Sequence, residues 1–122
     1  MSTAIKETSA NALNRRALGR ACVMNDVLAR VSLRWKMQIL FAIHSGRRHF
    51  AALKRHLPEV SDHVLAHRLG ELVDEGLAVR DDSKAEGARV RYAVTEKGRA
   101  LLRICEELCA WELRFREEDG AA

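Results

Sequence analysis

The single proline of this 122-residue chain, Pro58, separates two stretches that each have the pattern of a short amphipathic helix. The first stretch covers residues 50–56, and proline ends it because proline lacks a backbone donor and disfavours the α conformation in the residue before it. Ser61 can cap a second helix that runs to Glu75, and Gly76 suits the position just after a helix end. The pattern therefore predicts two helices joined by a tight turn.

A β-hairpin is expected after the second helix. Residues 77–80 and 90–94 flank a polar loop that contains Gly87, which suits a hairpin with a loop longer than two residues. Thr95 can then cap a long C-terminal helix. We expect a mainly α chain with a small β-hairpin wing, that is, a winged helix-turn-helix. Such an arrangement can place one helix in the major groove of DNA.

The composition is compatible with one ordered domain and a polyanionic partner. The chain is 48% hydrophobic, its net charge is +4 and its pI is about 9.3. No apolar run approaches the ~20 residues that span a bilayer, and the N-terminus lacks the apolar core of a signal peptide. Three cysteines without a disulfide-rich pattern fit a reducing compartment. We expect a cytoplasmic protein with no membrane association and no cofactor.

Several short segments, in their order and spacing, resemble the HxlR-type winged-helix transcriptional regulators, relatives of the MarR group, over roughly residues 21–111. The matching segments are Arg34-Trp35 with Ile39-Leu40, Phe50 with Leu53, Leu57-Pro58 with Ser61, Val64-Leu65 with Arg68-Leu69, Glu71-Leu72, Glu75-Gly76-Leu77, Val90-Arg91-Tyr92 and Thr95-Glu96-Lys97-Gly98. The resemblance implies a dimeric bacterial regulator that binds a double-stranded DNA operator and is not an enzyme. We expect an N-terminal arm (1–20), a DNA-binding domain (21–95), and a C-terminal dimerisation helix and tail (96–122).

The second helix of the pair is the predicted reading helix, because its apolar residues share one face and leave the opposite face to DNA. The inward residues are Val64, Leu65, Leu69 and Leu72, and the outward residues are His63, Ala66, His67 and Gly70. The full set of predicted DNA contacts is Arg47, Lys54, Arg55, Ser61, His63, Ala66, His67, Arg68, Lys84, Arg89 and Arg91. The two histidines are one turn apart, a spacing that metals use, but no third ligand is obvious, so no metal site is expected.

Two of these assignments have a structural alternative. Arg68 falls on the inward half of its helix, where an internal ion pair is as good an interpretation as a phosphate contact. Arg89 and Arg91 can instead lie on a solvated strand face and pair across the hairpin with Asp81 or Asp82.

Cys22 is the candidate for sensing oxidants or electrophiles. A helix capped by Asn25 or Asp26 is expected just after it, and Arg20 is close by. Positive neighbours and a helix N-terminus stabilise a thiolate, which is the reactive form. The resemblance points to the same residue, since some members sense through a cysteine in this N-terminal position. The alternative is a small buried hydrophobic residue. The effector itself is not identified by the sequence.

The C-terminal helix has an apolar stripe at alternating spacings of three and four residues, the a/d pattern of a helix–helix seam. The stripe consists of Leu101, Ile104, Leu108, Trp111 and Phe115. A homodimer interface is the favoured interpretation, and the alternative is a stripe that covers the domain's own core.

Two other functions remain open from the sequence alone. One is a winged-helix protein-interaction module that has lost DNA binding. The other is a thiol-dependent enzyme with Cys22 as nucleophile, for which no catalytic framework or phosphate-binding glycine loop is present in the sequence.

Overall fold

The computed structural model of the protein describes residue 16, residues 19–82 and residues 89–121. These residues fall into two units, one that ends at Leu33 and one that begins at Arg34. The first unit contains helix α1, which covers residues 19–31. The second unit contains α2 (Lys36–His44), α3 (Phe50–His56), α4 (Asp62–Asp74), β1 (Ala78–Asp81), β2 (Arg91–Val94) and α5 (Glu96–Ala121). Within this described part of the chain, no helix is long and apolar enough to cross a membrane.

The helix-turn-helix of α3 and α4 is confirmed at the predicted residues. Ser61 is the N-cap of α4, and its Oγ accepts a hydrogen bond from the Val64 amide at 3.1 Å. At the other end, Gly76 has a φ of 74°. The Gly76 amide donates to Val73 O and the Leu77 amide to Leu72 O, which is the Schellman pattern that ends a helix at a left-handed residue.

The wing is a two-stranded antiparallel hairpin, as predicted. Ala78 lies opposite Val94 and Asp81 lies opposite Arg91, so the register is defined over the whole length of both strands. The Tyr92 amide also donates to the carbonyl of Arg48 at 2.8 Å, so the segment before α3 runs beside the outer edge of β2. The wing is therefore attached to the same loop from which the helix-turn-helix starts.

The core of the second unit forms between α2, the inward face of α4, and the first turns of α5. Its fully buried apolar side chains include Ile39, Leu40, Ile43, Leu53, Leu65, Leu69 and Leu72. Each such side chain contributes about 1.5–3 kcal/mol relative to an exposed position. This apolar packing holds α4 so that its opposite face remains at the surface.

α5 begins directly against the end of α4. Thr95 acts as its cap, because its Oγ1 accepts a hydrogen bond from the Gly98 amide at 3.0 Å and donates to Gly76 O at 2.6 Å. A Cβ atom at Gly98 would collide with the carbonyl oxygen of Leu77. Glycine at this position therefore permits the close approach that joins α5 to the loop after α4.

One predicted helix boundary is wrong. Asn25 and Asp26 do not cap a new helix, because α1 runs through both of them from residue 19. Their intrinsic cost inside a helix is less than about 1 kcal/mol each, which neighbouring helix formers offset. Cys22 accordingly lies inside α1 and not before it. The predicted division between arm and domain at residue 20 stays a prediction, and most of the arm lies outside the described residues.

Candidate nucleic-acid interface

The outward face of α4 is open to solvent, as its pattern predicts. Leu65, Leu69 and Leu72 are at most 1% exposed on the inward face. The exposed outward residues are His63, Ala66, His67 and Gly70. The His63 and His67 rings stack with a centroid separation of 6.4 Å and an interplanar angle of 16°. The face thus presents two parallel imidazoles beside two small residues, and imidazole can donate or accept a hydrogen bond.

Arg68 is half-buried and bonded to other groups of the protein. Its Nε donates to the carbonyl of Arg34 at 2.9 Å, and its Nη1 donates to Glu71 Oε1 at 2.6 Å. Partial burial raises the pKa of the Glu71 carboxyl, but the hydrogen bond and charge of Arg68, together with the charges of Lys36 and His67, outweigh this, and the net pKa is lowered. The geometry favours the structural alternative for Arg68, and a phosphate contact from it stays a prediction.

Lys54 stabilises the turn between α3 and α4. Its Nζ donates to the carbonyl of Val60 and lies 3.5 Å from Asp62 Oδ1. The Asp62 carboxylate is exposed, so it offsets part of the lysine charge at the point where α4 begins. Arg55, one residue further along α3, is exposed. Ser61 Oγ accepts from the helix and keeps its hydroxyl proton available for an external acceptor.

The basic residues around the wing differ in their surroundings. Arg47 is half-buried just after α2. Arg89 and Arg91 are both exposed, and Arg91 stands directly opposite Asp81 in the hairpin. This register is the one required by the alternative in which Arg91 lies on a solvated strand face and pairs across the hairpin with Asp81. Lys84, the remaining wing candidate, lies outside the described residues.

A groove of about 260 Å³ separates α4 from the wing. It is lined by Phe50, Ala66, Leu69, Gly70, Val73, Asp74, Arg80 and Tyr92. The small side chains of α4 open this groove toward the outward face, and Arg80 stands at its side in a 2.8 Å hydrogen bond to Asp82. The pKa of the Arg80 guanidinium is raised by this bond. The groove makes α4 and the hairpin two walls of one continuous surface.

The apolar stripe of α5 is at the surface over most of its length. Ile104, Leu108, Trp111 and Phe115 are all between 40% and 59% exposed, whereas Leu101 is half-buried and packs against the core. The Trp111 and Phe115 rings contact each other with centroids 5.8 Å apart. Among the described residues, Leu101 is the member of the stripe that packs on the core, as the alternative interpretation requires, and the other four face solvent.

The opposite side of α5 is also partly apolar and faces α2. A groove of about 580 Å³ is lined there by Met37, Gln38, Phe41, Leu102, Cys105, Glu106, Cys109, Ala110 and Leu113. Burial, together with the neighbouring Cys109, raises the pKa of the Cys105 thiol, so this thiol is poorly suited to reaction as a thiolate. Cys22 is exposed. Among the residues that the structure describes, no group of three histidine, cysteine or acidic side chains could hold a metal ion.

Sequence reasoning missed a buried ion pair at the end of α4. Lys36 is 1% exposed, and its Nζ pairs with Glu75 Oε2 at the end of the helix. A lysine at the start of a mainly apolar helix, one residue after Trp35, is the signal that could have indicated a buried cation.

Comparison with known proteins gives one consistent result. The family model of HxlR-like helix-turn-helix proteins matches residues 30–120. YvaP, an HTH-type transcriptional regulator of Bacillus subtilis, is 37% identical over 81 residues, which are 66% of this chain and 75% of YvaP.

Solved structures of related proteins agree with this. The reduced form of the B. subtilis regulator YodB matches with a TM-score of 0.67 and 30% identity over 72% of this chain and 86% of YodB. YodB has also been solved in diamide-treated and quinone-bound forms. A protein assigned to the MarR family of transcriptional regulators, from Enterococcus faecalis V583, has a TM-score of 0.77 and 26% identity over 84% of this chain and 93% of that protein.

Proposed function

Because the chain belongs to the HxlR-like helix-turn-helix family of transcriptional regulators, we propose that it acts as a homodimer that recognises a specific DNA operator through α4 of each protomer. One observation carries this proposal. α4 is the second helix of a helix-turn-helix, is buried along one face by three leucines, and exposes the opposite face beside the wing. Helices in this position enter the major groove.

Recognition of bases falls to the outward face of α4. His63 and His67 read base edges by donating or accepting hydrogen bonds, and Ala66 lets the helix approach closely and can contact a thymine methyl group. Gly70, one turn after Ala66, has no side chain and extends the part of this face that can approach DNA closely. Both imidazoles are exposed in the free protein, and their internal contacts are weak: the two rings stack on each other, and His67 Nε2 approaches Glu71 Oε1 at 4.0 Å.

Contacts to phosphate fall to residues around this helix. Arg55 is exposed on α3, and the Ser61 hydroxyl and the α4 N-terminus face the same side as the start of the reading face. Arg47, Arg89 and Arg91 flank the wing and can follow the neighbouring strand. Lys54 contributes mainly by holding the turn, since its ammonium is already bonded to Val60 and near Asp62.

The dimer forms through the exposed stripe of α5. A twofold arrangement pairs each stripe with its copy and separates the two reading helices so that they meet half-sites about 34 Å apart. Exposed aromatic and aliphatic side chains in a row along a single helix are typical of such a surface.

A thiol-reactive signal acts through Cys22. The relative YodB has been solved in diamide-treated and quinone-bound forms, which supports thiol chemistry in this family. In this chain Cys22 is an exposed thiol on α1, and Cys105 is held back by a raised pKa. Modification of Cys22 would change the packing of α1 in the dimer and thereby favour one spacing of the reading helices.

Footprinting on the DNA upstream of the chain's own gene, with and without oxidant or aldehyde, tests the proposal. A protected region of two half-sites is the expected result, with affinity that falls steeply with salt because each phosphate contact releases condensed counterions. Protection of no sequence, together with salt-independent self-association, would instead support the protein-interaction module.

A further inference from the structure

Lys36, the first residue of α2, has the most deeply buried charge among the described residues. The residue is 1% exposed, and its Nζ forms an ion pair with Oε2 of Glu75, the C-cap residue of α4. A buried ammonium without a counter-ion is strongly unfavourable, so this pair must remain intact whenever the domain is folded. The pair thus links the start of α2 to the end of the reading helix.

The same part of the chain contacts α4 a second time, about two helical turns earlier. The carbonyl of Arg34 accepts the 2.9 Å hydrogen bond from Arg68 Nε. Trp35, between these two anchors, has a φ of 76°, a left-handed conformation that is strained for a tryptophan. Such strain persists where the surroundings hold it in place, and here the residues on both sides of Trp35 are bonded to α4.

The charges at the end of α4 also match its electrostatics. The last turn of α4 carries no basic residue of its own. Lys36 supplies one ammonium from α2, and Lys97 supplies another from α5, donating to Glu75 O at 2.7 Å. Both cations lie at the negative end of the helix dipole, where positive charge is favourable. The end of α4 is therefore held by two neighbouring helices.

We propose that the Lys36–Glu75 ion pair sets the position of α4 along its own axis, which makes Lys36 a positioning residue for DNA sequence discrimination. The inference rests on the proposed function of α4 as the reading helix. Lys36 is buried behind α4, so it acts through the helix and contributes no contact to DNA.

The physical reason is a difference between apolar and polar contacts. Leu65, Leu69 and Leu72 stabilise α4 by removing area from water, an effect with little directional preference. A buried ion pair, by contrast, offsets the desolvation of its two charges only while they stay in close contact. Base recognition needs comparably accurate positioning, to within about 0.5 Å. The leucines thus keep α4 on the core, and the buried pair selects one position among those that the leucines allow.

The test removes both charges together, since removing one of them would break the buried pair and destabilise the domain for that reason alone. Lys36→Met combined with Glu75→Gln gives a neutral pair of similar size. The matched control, Arg116→Met with Glu112→Gln, removes an exposed 3.2 Å pair on α5. Like the test variant, it removes one positive and one negative charge and leaves the net charge unchanged. Affinity is measured at fixed salt for the operator and for versions with one altered base pair in each half-site.

The neutral pair should fold cooperatively and bind DNA, but its discrimination against a single altered base pair should fall from the usual range of about 10- to 100-fold to about threefold. The control should discriminate like the wild type. Unchanged discrimination in the neutral pair would show that the proposal is wrong.

A wild-type protein that discriminates no sequence would refute the proposed function, and the positioning role is then decided without DNA. Amide hydrogen exchange and NMR signals of α4 in the free protein provide that measurement. More than one environment for α4 residues, or faster exchange there, is expected only in the neutral pair. A single unchanged set of α4 signals would overturn the inference.

Discussion

Replacement of Trp111 by alanine should separate dimer formation from folding. Trp111 is 59% exposed, and in its own chain its ring contacts only Phe115 among the ring pairs described. Surface substitutions of this kind usually change the free energy of unfolding by less than about 0.5 kcal/mol. The unfolding of the isolated protomer should therefore be nearly unaffected.

The effect on the dimer should be large. Covering the 59% exposed part of a tryptophan removes roughly 150 Å² from water, worth about 4 kcal/mol at ~25 cal/mol per Å². Alanine retains part of this area, which leaves a loss of about 2–3 kcal/mol for each ring. A twofold interface contains the residue twice, so the dimer should lose about 4–6 kcal/mol and its Kd should rise roughly 10³- to 10⁴-fold.

Sedimentation equilibrium over a range of concentrations measures this Kd directly. Leu113→Ala is the matched control, because Leu113 is 55% exposed but lies on the side of α5 that faces the α2 groove. The control should change Kd by less than about tenfold. A wild-type protein that is monomeric at tens of micromolar, or equal effects of the two substitutions, would refute the assignment of the stripe as the interface.

Three further outcomes are expected. His63→Ala or His67→Ala should cost about 1–3 kcal/mol of operator binding and change the preferred sequence, whereas Arg55→Ala should weaken binding to all DNA alike and reduce the salt slope by about one. Binding titrations with operator DNA and with random DNA distinguish these two effects, and wild-type affinity in all three variants would contradict the proposed interface. Mild oxidation should change operator affinity in the wild type and not in Cys22→Ser, and a response that survives the substitution would exclude this thiol. The pKa of Glu71 is lowered in the folded state, so the ionised carboxylate stabilises the fold above the ordinary pKa of 4.5, and this stabilisation is lost as the pH falls through the folded-state pKa. In Glu71→Gln the free energy of unfolding, measured by urea denaturation, should therefore depend less on pH in the acid range. An unchanged pH dependence would count against the pairing with Arg68.

Much of the fold could be predicted because strong local signals mark it. Pro58, Ser61 and Gly76 each act within a few residues, by removing a donor, capping a helix and adopting positive φ. These effects do not depend on tertiary contacts, and the bounds of α3 and α4 agree with them. The boundary at Asn25 was wrong because weak propensity differences do not stop a helix that its neighbours favour.

The surroundings of charged residues could be predicted less well. Residue type shows that Lys54 and Arg68 are cationic, but not that the first bonds to Val60 and the second to Arg34, which is distant in sequence. The Lys36–Glu75 pair likewise joins two helices that only the folded chain brings together. Helical periodicity indicates which face a side chain occupies, and the identity of its partner depends on tertiary packing.

The continuity of α5 has a mechanical consequence. This helix has 26 residues and is therefore about 39 Å long. One end is bonded to the loop after α4 through Thr95, and the exposed stripe occupies the part beyond Leu101. In the proposed dimer each α5 therefore rotates about its contact with the partner's α5, and this rotation moves the rest of its own protomer. The centre of the stripe, near Leu108, lies about 18 Å along the helix from its first residue, so a tilt of ~10° displaces that end by about 3 Å, close to the ~3.4 Å rise of one base pair. A signal that alters the crossing angle of the two α5 helices by about ten degrees is enough to move one reading helix out of phase with its half-site.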